Sequence, residues 1–362
     1  MAEVKRPTFL LMIGAMLLVL GALSSLVSSL CGERDAAKEL ESLDTLSRGG
    51  EPAATTNFEQ AVNRYVESEP PLAILGKNDP AEVEKYLKNN AAVFPYLDKA
   101  VKARRIMFRR NWNLGFGVER LGVIDVHNLV KLNWFRLRTS ADPVEAERLA
   151  AANRTLANFL KYDPMVSSVR IYAPAYHLYL FSVEEAAARG AFADDEDIRD
   201  LIDVLEQDEV EFPRIFAEAL RNERKLLNQL PESLNAYDSN PGTDVRTVDT
   251  DLATEKLSRL ALLLETDFSR NSTELKAWSV PSGEKFRISE KLVPGRDYAE
   301  MLAALQNHSR LARMALAAKA GFPSSPLADA FTGEQLRIAT GRDGITASTA
   351  APKDPAESFT LK

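Results

Sequence analysis

The feature that most constrains this chain is its amino-terminal stretch. Thr8 to Cys31 is a run of 24 residues without a charged side chain. As a helix such a run is roughly 36 Å long, more than the bilayer's hydrocarbon core of about 30 Å. Lys5 and Arg6 precede it, and Glu33, Arg34 and Asp35 follow. The positive-inside rule then puts the amino terminus in the cytoplasm and residues 32–362 on the far side of the membrane. The run is longer than the apolar core of a secretory signal peptide. It predicts an uncleaved signal anchor over residues 1–31 and a single-pass cell-membrane protein with an extracytoplasmic body. Two alternatives stay open. Cleavage near Ala22-Leu23-Ser24 makes the body a secreted protein, and Cys31 stands where a lipid-modified cysteine belongs. Leu30 speaks against the second, because lipobox patterns have Gly or Ala there. Gly14, Gly21 and Ser28, beside Ala15, Ala22 and Ser29, form two rows of small residues of the kind that lets spanning helices approach closely. Such residues are common in any spanning helix.

Beyond the run, the pattern is helical. Residues 32–56 read as a juxtamembrane segment. Glu33 to Leu46 is a helix with Ala36, Leu40 and Leu43 on one side, and Ser47 to Thr56 (SRGGEPAATT) is a flexible linker. The body, residues 57–320, contains three Asp-Pro pairs that look like helix starts: Asp79-Pro80, Asp142-Pro143 and Asp163-Pro164. An N-cap aspartate accepts from free backbone amides, and proline suits the first helical position. Glu82 and Glu145 stand at capping-box spacing from the first two. Apolar residues recur at helical spacing over Leu121 to Leu137 and over Val144 to Leu160. The five-residue turn Thr139 to Pro143 that joins them suits an antiparallel pair. Met165 to Arg189 predicts a helix kinked or interrupted at Pro174. Asp194 to Gln207 and Val210 to Leu230 read as two further helices, Pro231 to Thr250 as a loop, and Leu252 to Phe268 and Arg296 to Ala320 as the last strong helices. The Asp-Pro pairs keep no fixed period, so no helical repeat array is indicated. Residues 321–349 change character. Gly341-Arg342-Asp343-Gly344 between two short β-prone runs predicts a hairpin, because Asp-Gly is a strong turn signal. Residues 350–362 read as a disordered tail. The expected fold class is mainly α: a transmembrane helix, an irregular multi-helix body and a small carboxy-terminal β-hairpin.

Chemistry is harder to find. The 45 basic and 52 acidic residues give a net charge of −7, which argues against a dedicated nucleic-acid binder. Cys31 is the single cysteine, so an intramolecular disulfide and a zinc site built on several cysteines are excluded. No nucleophile elbow, Walker loop, zincin helix or EF-hand loop occurs. Gly115-Phe116-Gly117 lacks the third glycine of a dinucleotide fingerprint and reads as a bend. No catalytic residue, metal ligand or cofactor is assigned. Three histidines remain: His127, His177 and His308. His177 lies among Tyr172, Tyr176 and Tyr179, and those four are the candidate binding residues, since tyrosine offers a flat apolar body with a polar tip. The bland reading of the same cluster is an aromatic core patch. His308 reads as a surface residue of the last helix. Asp98 to Arg138 carries ten basic and three acidic residues, and Glu184 to Glu211 twelve acidic and two basic. Their opposite signs lead to the expectation that residues 194–211 pack near residues 99–138.

A helix ending in KAGFP (Lys319 to Pro323), followed by LADAFTGEQLRI (Leu327 to Ile338), resembles a loose group of uncharacterised bacterial signal-anchored, all-helical extracytoplasmic proteins. Their ends read Asp-Pro-Phe-Thr-Gly, then Pro-Leu-Arg-Tyr, then an Asp-Gly turn. Here Ala330 replaces the proline and Ile338 the aromatic. The resemblance covers mainly residues 296–348 and implies topology and fold class, not an activity. The function expected is a membrane-anchored helical scaffold or binding module with a protein partner in the cell envelope. The alternative is a hydrolase-type enzyme with a site near His177.

Overall fold

The computed structural model describes residues 38–39, 41–45, 48–67, 79–108, 110, 122–163, 165–227, 250–266, 268–279, 294–323, 326–342, 344–350 and 355–361. The Thr8–Cys31 run, the Gly115–Gly117 bend and most of the 231–250 loop lie outside them. Among the described residues no helix is long and apolar enough to cross a membrane.

Ten helices of seven or more residues are described: α1 (Pro52–Arg64), α2 (Pro80–Asn89), α3 (Phe94–Ala100), α4 (Val123–Thr139), α5 (Pro143–Phe159), α6 (Val166–Ala188), α7 (Asp195–Leu227), α8 (Thr250–Glu265), α9 (Phe268–Lys276) and α10 (Arg296–Lys319). A three-stranded antiparallel sheet follows, with order β1 (Arg337–Gly341), β2 (Gly344–Ser348), β3 (Ser358–Leu361). The fold is therefore mainly helical with a small carboxy-terminal sheet.

Two of the three Asp-Pro starts behave as their chemistry dictates. Asp79 accepts from the Ala81 amide at 2.9 Å and Asp142 from the Val144 amide at 3.1 Å, each followed by proline in the first turn. Asp163 does not cap. Helix α6 starts at Val166 with Met165 as its N-cap. Asp163 is buried and faces the Arg110 guanidinium at 2.6 Å, and Ser168 donates to it as well. Where a buried arginine offers a charge-assisted bond, it outbids a backbone amide for the carboxylate.

The expected linker is instead docked structure. Helix α1 begins inside it at Pro52, and Thr55 is buried. The Thr55 hydroxyl donates to the Glu51 carbonyl and accepts from the Met107 amide, both at 2.9 Å. Glu51 donates its own amide to the Arg105 carbonyl at 3.1 Å. Gly50 makes this approach possible, since a Cβ there would lie 2.2 Å from the Ile106 carbonyl carbon. Gly50, which read as flexibility, serves close backbone contact. Leu43 is also in the core, so the body begins before residue 57.

Helices α4 and α5 form the expected antiparallel pair. Asn133 donates to the Leu149 carbonyl at 2.9 Å and to Asn153 at 2.8 Å, and Arg136 reaches Glu145 at 3.0 Å. Asn153 passes the chain on to Ser182 of α6 at 2.7 Å, so one buried amide ladder registers three helices. Helix α6 runs unbroken through Pro174, so the chain is not interrupted there, and the two helices expected over 194–207 and 210–230 are one helix, α7, of 33 residues that continues through Pro213. Each proline forfeits a backbone bond, and the burial of one face along the rest of the helix offsets that loss. The tail is also ordered where it is described. Residues 355–361 form a helical turn and β3, and Phe359 and Leu361 point into the core. Buried apolar side chains from Leu43 to Leu361 form one continuous core.

The ion pairs of the acidic segment run elsewhere than expected. Asp208 pairs with Arg154 and Lys161, Glu211 with Lys161, and Glu206 and Glu209 with Arg313 and Arg310 of α10. In the basic segment, Arg136 pairs with Asp98 and Glu145, and Arg138 with Glu185.

Candidate functional site

Helix α10 carries the most unusual environment in the body. Gln306, Asn307, His308 and Ser309 are consecutive, and all four are buried. Successive helical residues point in directions about 100° apart, so four in a row sweep the whole circumference. A helix buried at all four is enclosed by its neighbours, and its polar side chains need partners among them. Three find one in a different direction. Ser309 donates to the Leu205 carbonyl of α7 at 3.2 Å. Asn307 donates to Asp329 and accepts from the Ala330 amide, both at 2.7 Å. His308 meets His177 of α6, Nδ1 to Nδ1, at 2.8 Å.

The two imidazoles are stacked, with centroids 5.1 Å apart and planes inclined by 24°. Phe181 of α6 lies 4.9 Å from the His308 ring and Phe359 of β3 lies 6.0 Å from it. His308 is fully buried and its Nε2 has no hydrogen-bond partner. His177 is half-buried. An Nδ1–Nδ1 bond needs one donor and one acceptor, so the neutral pair holds one proton between the two atoms. An orphaned buried N–H is rarer than an under-used acceptor. The arrangement that leaves a lone pair rather than an N–H at the enclosed Nε2 makes His308 the Nδ1 donor and His177 the acceptor. This tautomer follows from the hydrogen-bond network. Burial, and after it the neighbouring His177, push the His308 pKa well below the usual imidazole value. His308, read from the sequence as a surface residue, is thus among the most enclosed groups in the body.

The tyrosines of the candidate cluster separate from His177. Tyr172, Tyr176 and Tyr179 are buried in the core. Tyr172 and Tyr176 pack against Phe212 of α7, with centroids 6.2 and 5.0 Å from it. Tyr176 and Tyr179 meet edge to face at 5.1 Å. The Tyr176 hydroxyl donates to Asp208 at 2.7 Å. Successive residues of α6 point to different neighbours, which is why Tyr176 faces α7 while His177 faces α10.

Asp208 is the second buried polar centre, and sequence reasoning did not single it out. Arg154 holds both its oxygens, at 2.7 and 2.9 Å, and Lys161 adds a third cationic contact at 3.2 Å. Burial pushes its pKa up, but the Arg154 hydrogen bonds and the Lys161 and Arg154 charges outweigh that and hold it below the usual carboxylate value. The carboxylate therefore stays ionised and ties α5, α6 and α7 together, a strut rather than a proton carrier. His127, the remaining histidine, has its pKa lowered to about 4, first by burial and then by Lys131.

Among the described residues no three His, Cys, Asp or Glu side chains gather as a metal-holding group. Comparison with protein-family models, with curated proteins and with solved structures finds no match to this chain.

Proposed function

We propose that the chain is a single-pass, membrane-anchored extracytoplasmic protein whose helical body acts as a scaffold or binding module for a protein partner in the cell envelope. The observation that carries this reading is the uncharged Thr8–Cys31 run behind Lys5 and Arg6, directly ahead of a long helical body. The small-residue rows in that run and the resemblance over residues 296–348 point the same way. The deepest charged groups support the scaffold half. Asp163 and Asp208 are each consumed by an arginine, so they brace helices instead of presenting chemistry. The hydrolase alternative draws on His177. Its Nδ1, the atom a general base offers to an orienting carboxylate in a catalytic triad, is engaged by His308 instead.

The test is the size of the native assembly. The full-length chain, extracted from its own membranes in mild detergent after brief in-cell cross-linking, is expected to migrate with a stoichiometric partner. A lone chain under conditions that preserve other envelope complexes would contradict the scaffold reading.

A further inference from the structure

We propose that the free edge of β1 is a self-association surface: a second copy of this chain pairs with it antiparallel, about a two-fold axis at Ala339, and merges two three-stranded sheets into one. The sheet order is β1-β2-β3, so among the described residues β1 is an edge. Strands β2 and β3 lie against α10, whereas every residue of β1 is exposed. Ile338 is one of the large apolar side chains left facing water. An open edge is a template for another strand, and proteins ordinarily blunt it with proline, a bulge or charges that point into the gap. Strand β1 has no proline, its register with β2 is unbroken, and its two residues that present backbone to the gap, Ile338 and Thr340, are uncharged.

The register decides which groups face the gap. Gly341 pairs with Gly344 across a two-residue turn, so these two share the hydrogen bonds that close it. Bonded and non-bonded pairs alternate along an antiparallel ladder. Residues 337, 339 and 341 therefore direct their N–H and C=O groups at β2, and Ile338 and Thr340 direct theirs outward. Two bonds beyond the hairpin agree with this parity. Leu336 donates to the Leu327 carbonyl at 2.9 Å on the outer side, and Thr349 donates to the Glu357 carbonyl at 3.0 Å on the β3 side. The first of these also bounds the edge, because Leu327 occupies the place beside Leu336. The turn bounds it at the other end, at Arg342. The free edge is residues 337–341, and Ala339 is its midpoint.

A two-fold axis at that midpoint fits the edge to itself. Ile338 of each copy stands opposite Thr340 of the other, and each such pair exchanges both backbone bonds, so the outward groups satisfy one another. Ala339 meets its own copy in the non-hydrogen-bonded position, where Cα atoms come within about 4.5 Å and a small side chain fits. Arg337 stands opposite Gly341, which leaves room for the long side chain and sets no like charges face to face. Ile338 shares a sheet face with Ala347 and Phe359, both buried, so the incoming strand continues that row and covers the exposed isoleucine. Two such short edges bury less than the roughly 1,000 Å² expected of a stable soluble interface. Two copies anchored in one membrane meet at high effective concentration, and the small-residue rows of the Thr8–Cys31 run let their anchors approach. The strength of the pairing thus rests on the anchored reading proposed above, and its register does not.

Cysteine cross-linking of the full-length chain in isolated membranes tests the pairing, with Cys31→Ser removing the single native cysteine. A membrane-permeant oxidant reaches both faces, so the result does not depend on the side where the body lies. A dimer linked through β1 together with a body protected from external protease would overturn the topology and keep the edge pairing. Cα atoms about 4.5 Å apart are within disulfide reach, and Ala339→Cys is expected to give a disulfide-linked dimer. Val210→Cys, at a highly exposed residue of α7, measures chance collision and is expected to stay largely monomeric. Two charge variants of the Ala339→Cys chain test the register. Ile338→Glu with Thr340→Glu sets like charges opposite each other across the axis, and Ile338→Glu with Thr340→Lys sets opposite ones. Linking is expected to be at least about fourfold greater in the second. Both carry the same Ile338 change, so a folding defect caused by it cannot separate them. No dimer from Ala339→Cys, equal linking of Val210→Cys, or equal linking of the two charge variants would each overturn the proposal.

Discussion

At the residue scale, buried polar groups set this protein's energetics, and Asp208 is the sharpest case. Its carboxylate is almost wholly enclosed and serves Arg154, Lys161 and Tyr176 at once. Removing one partner of a buried pair costs about 3–5 kcal/mol, because the remaining charge stays behind. Arg154 and Lys161 both retain some contact with water, which places Asp208→Ala near the lower end, at about 3 kcal/mol. Urea unfolding monitored by circular dichroism measures it. The double variant Asp208→Ala, Arg154→Met is expected to recover part of the loss, since it removes one stranded cation. Little of this was legible in the sequence. Asp208 is one of many acids in its stretch with nothing local to set it apart, and its partners lie 32 to 54 positions away. His308 was misread for a related reason. Four polar residues in a row look like a surface segment, and only the enclosure of α10 on every side turns them inward.

At the scale of single elements, local chemistry was the better guide. The Asp142-Pro143 start holds because both residues act within one turn of helix. Asp142→Ala is expected to cost about 1 kcal/mol and Asp142→Asn clearly less, since asparagine caps about as well. Thermal unfolding of the two variants side by side measures the difference. Equal losses would show that the cap does not act through its hydrogen bond. The hairpin at Gly341 to Gly344 was legible from its turn-prone residues, but its strands pair Gly341 with Gly344, one position earlier than a central Asp-Gly pair would set. Strand β3 was missed although its signal was present. Ser358-Phe359-Thr360-Leu361 alternates polar and apolar, and the buried members are the apolar ones. A run of four was too short to weigh against its Pro-bearing, carboxy-terminal setting. Pro174 misled in the other direction, because tertiary burial of a long helical face is invisible in a local reading.

At the scale of the molecule, one core joins residues from Leu43 to Leu361, and the groups that lock it together are arginine–carboxylate pairs and a histidine pair. The histidines give the whole body a pH sign. His308 and His127 have pKa values depressed on folding, so the unfolded chain binds more protons as pH falls through about 6.5. Stability is therefore full above that value and declines below it, down to about pH 4 for the His127 contribution. A body outside the cytoplasm would meet the pH of its surroundings directly. The central claim is the proposed topology. Protease added to intact spheroplasts, with a cytoplasmic protein as the control for lysis, is expected to remove the body and leave the cytoplasmic control intact. A body that survives until the membrane is broken, and is then digested, would place residues 32–362 in the cytoplasm and contradict the account.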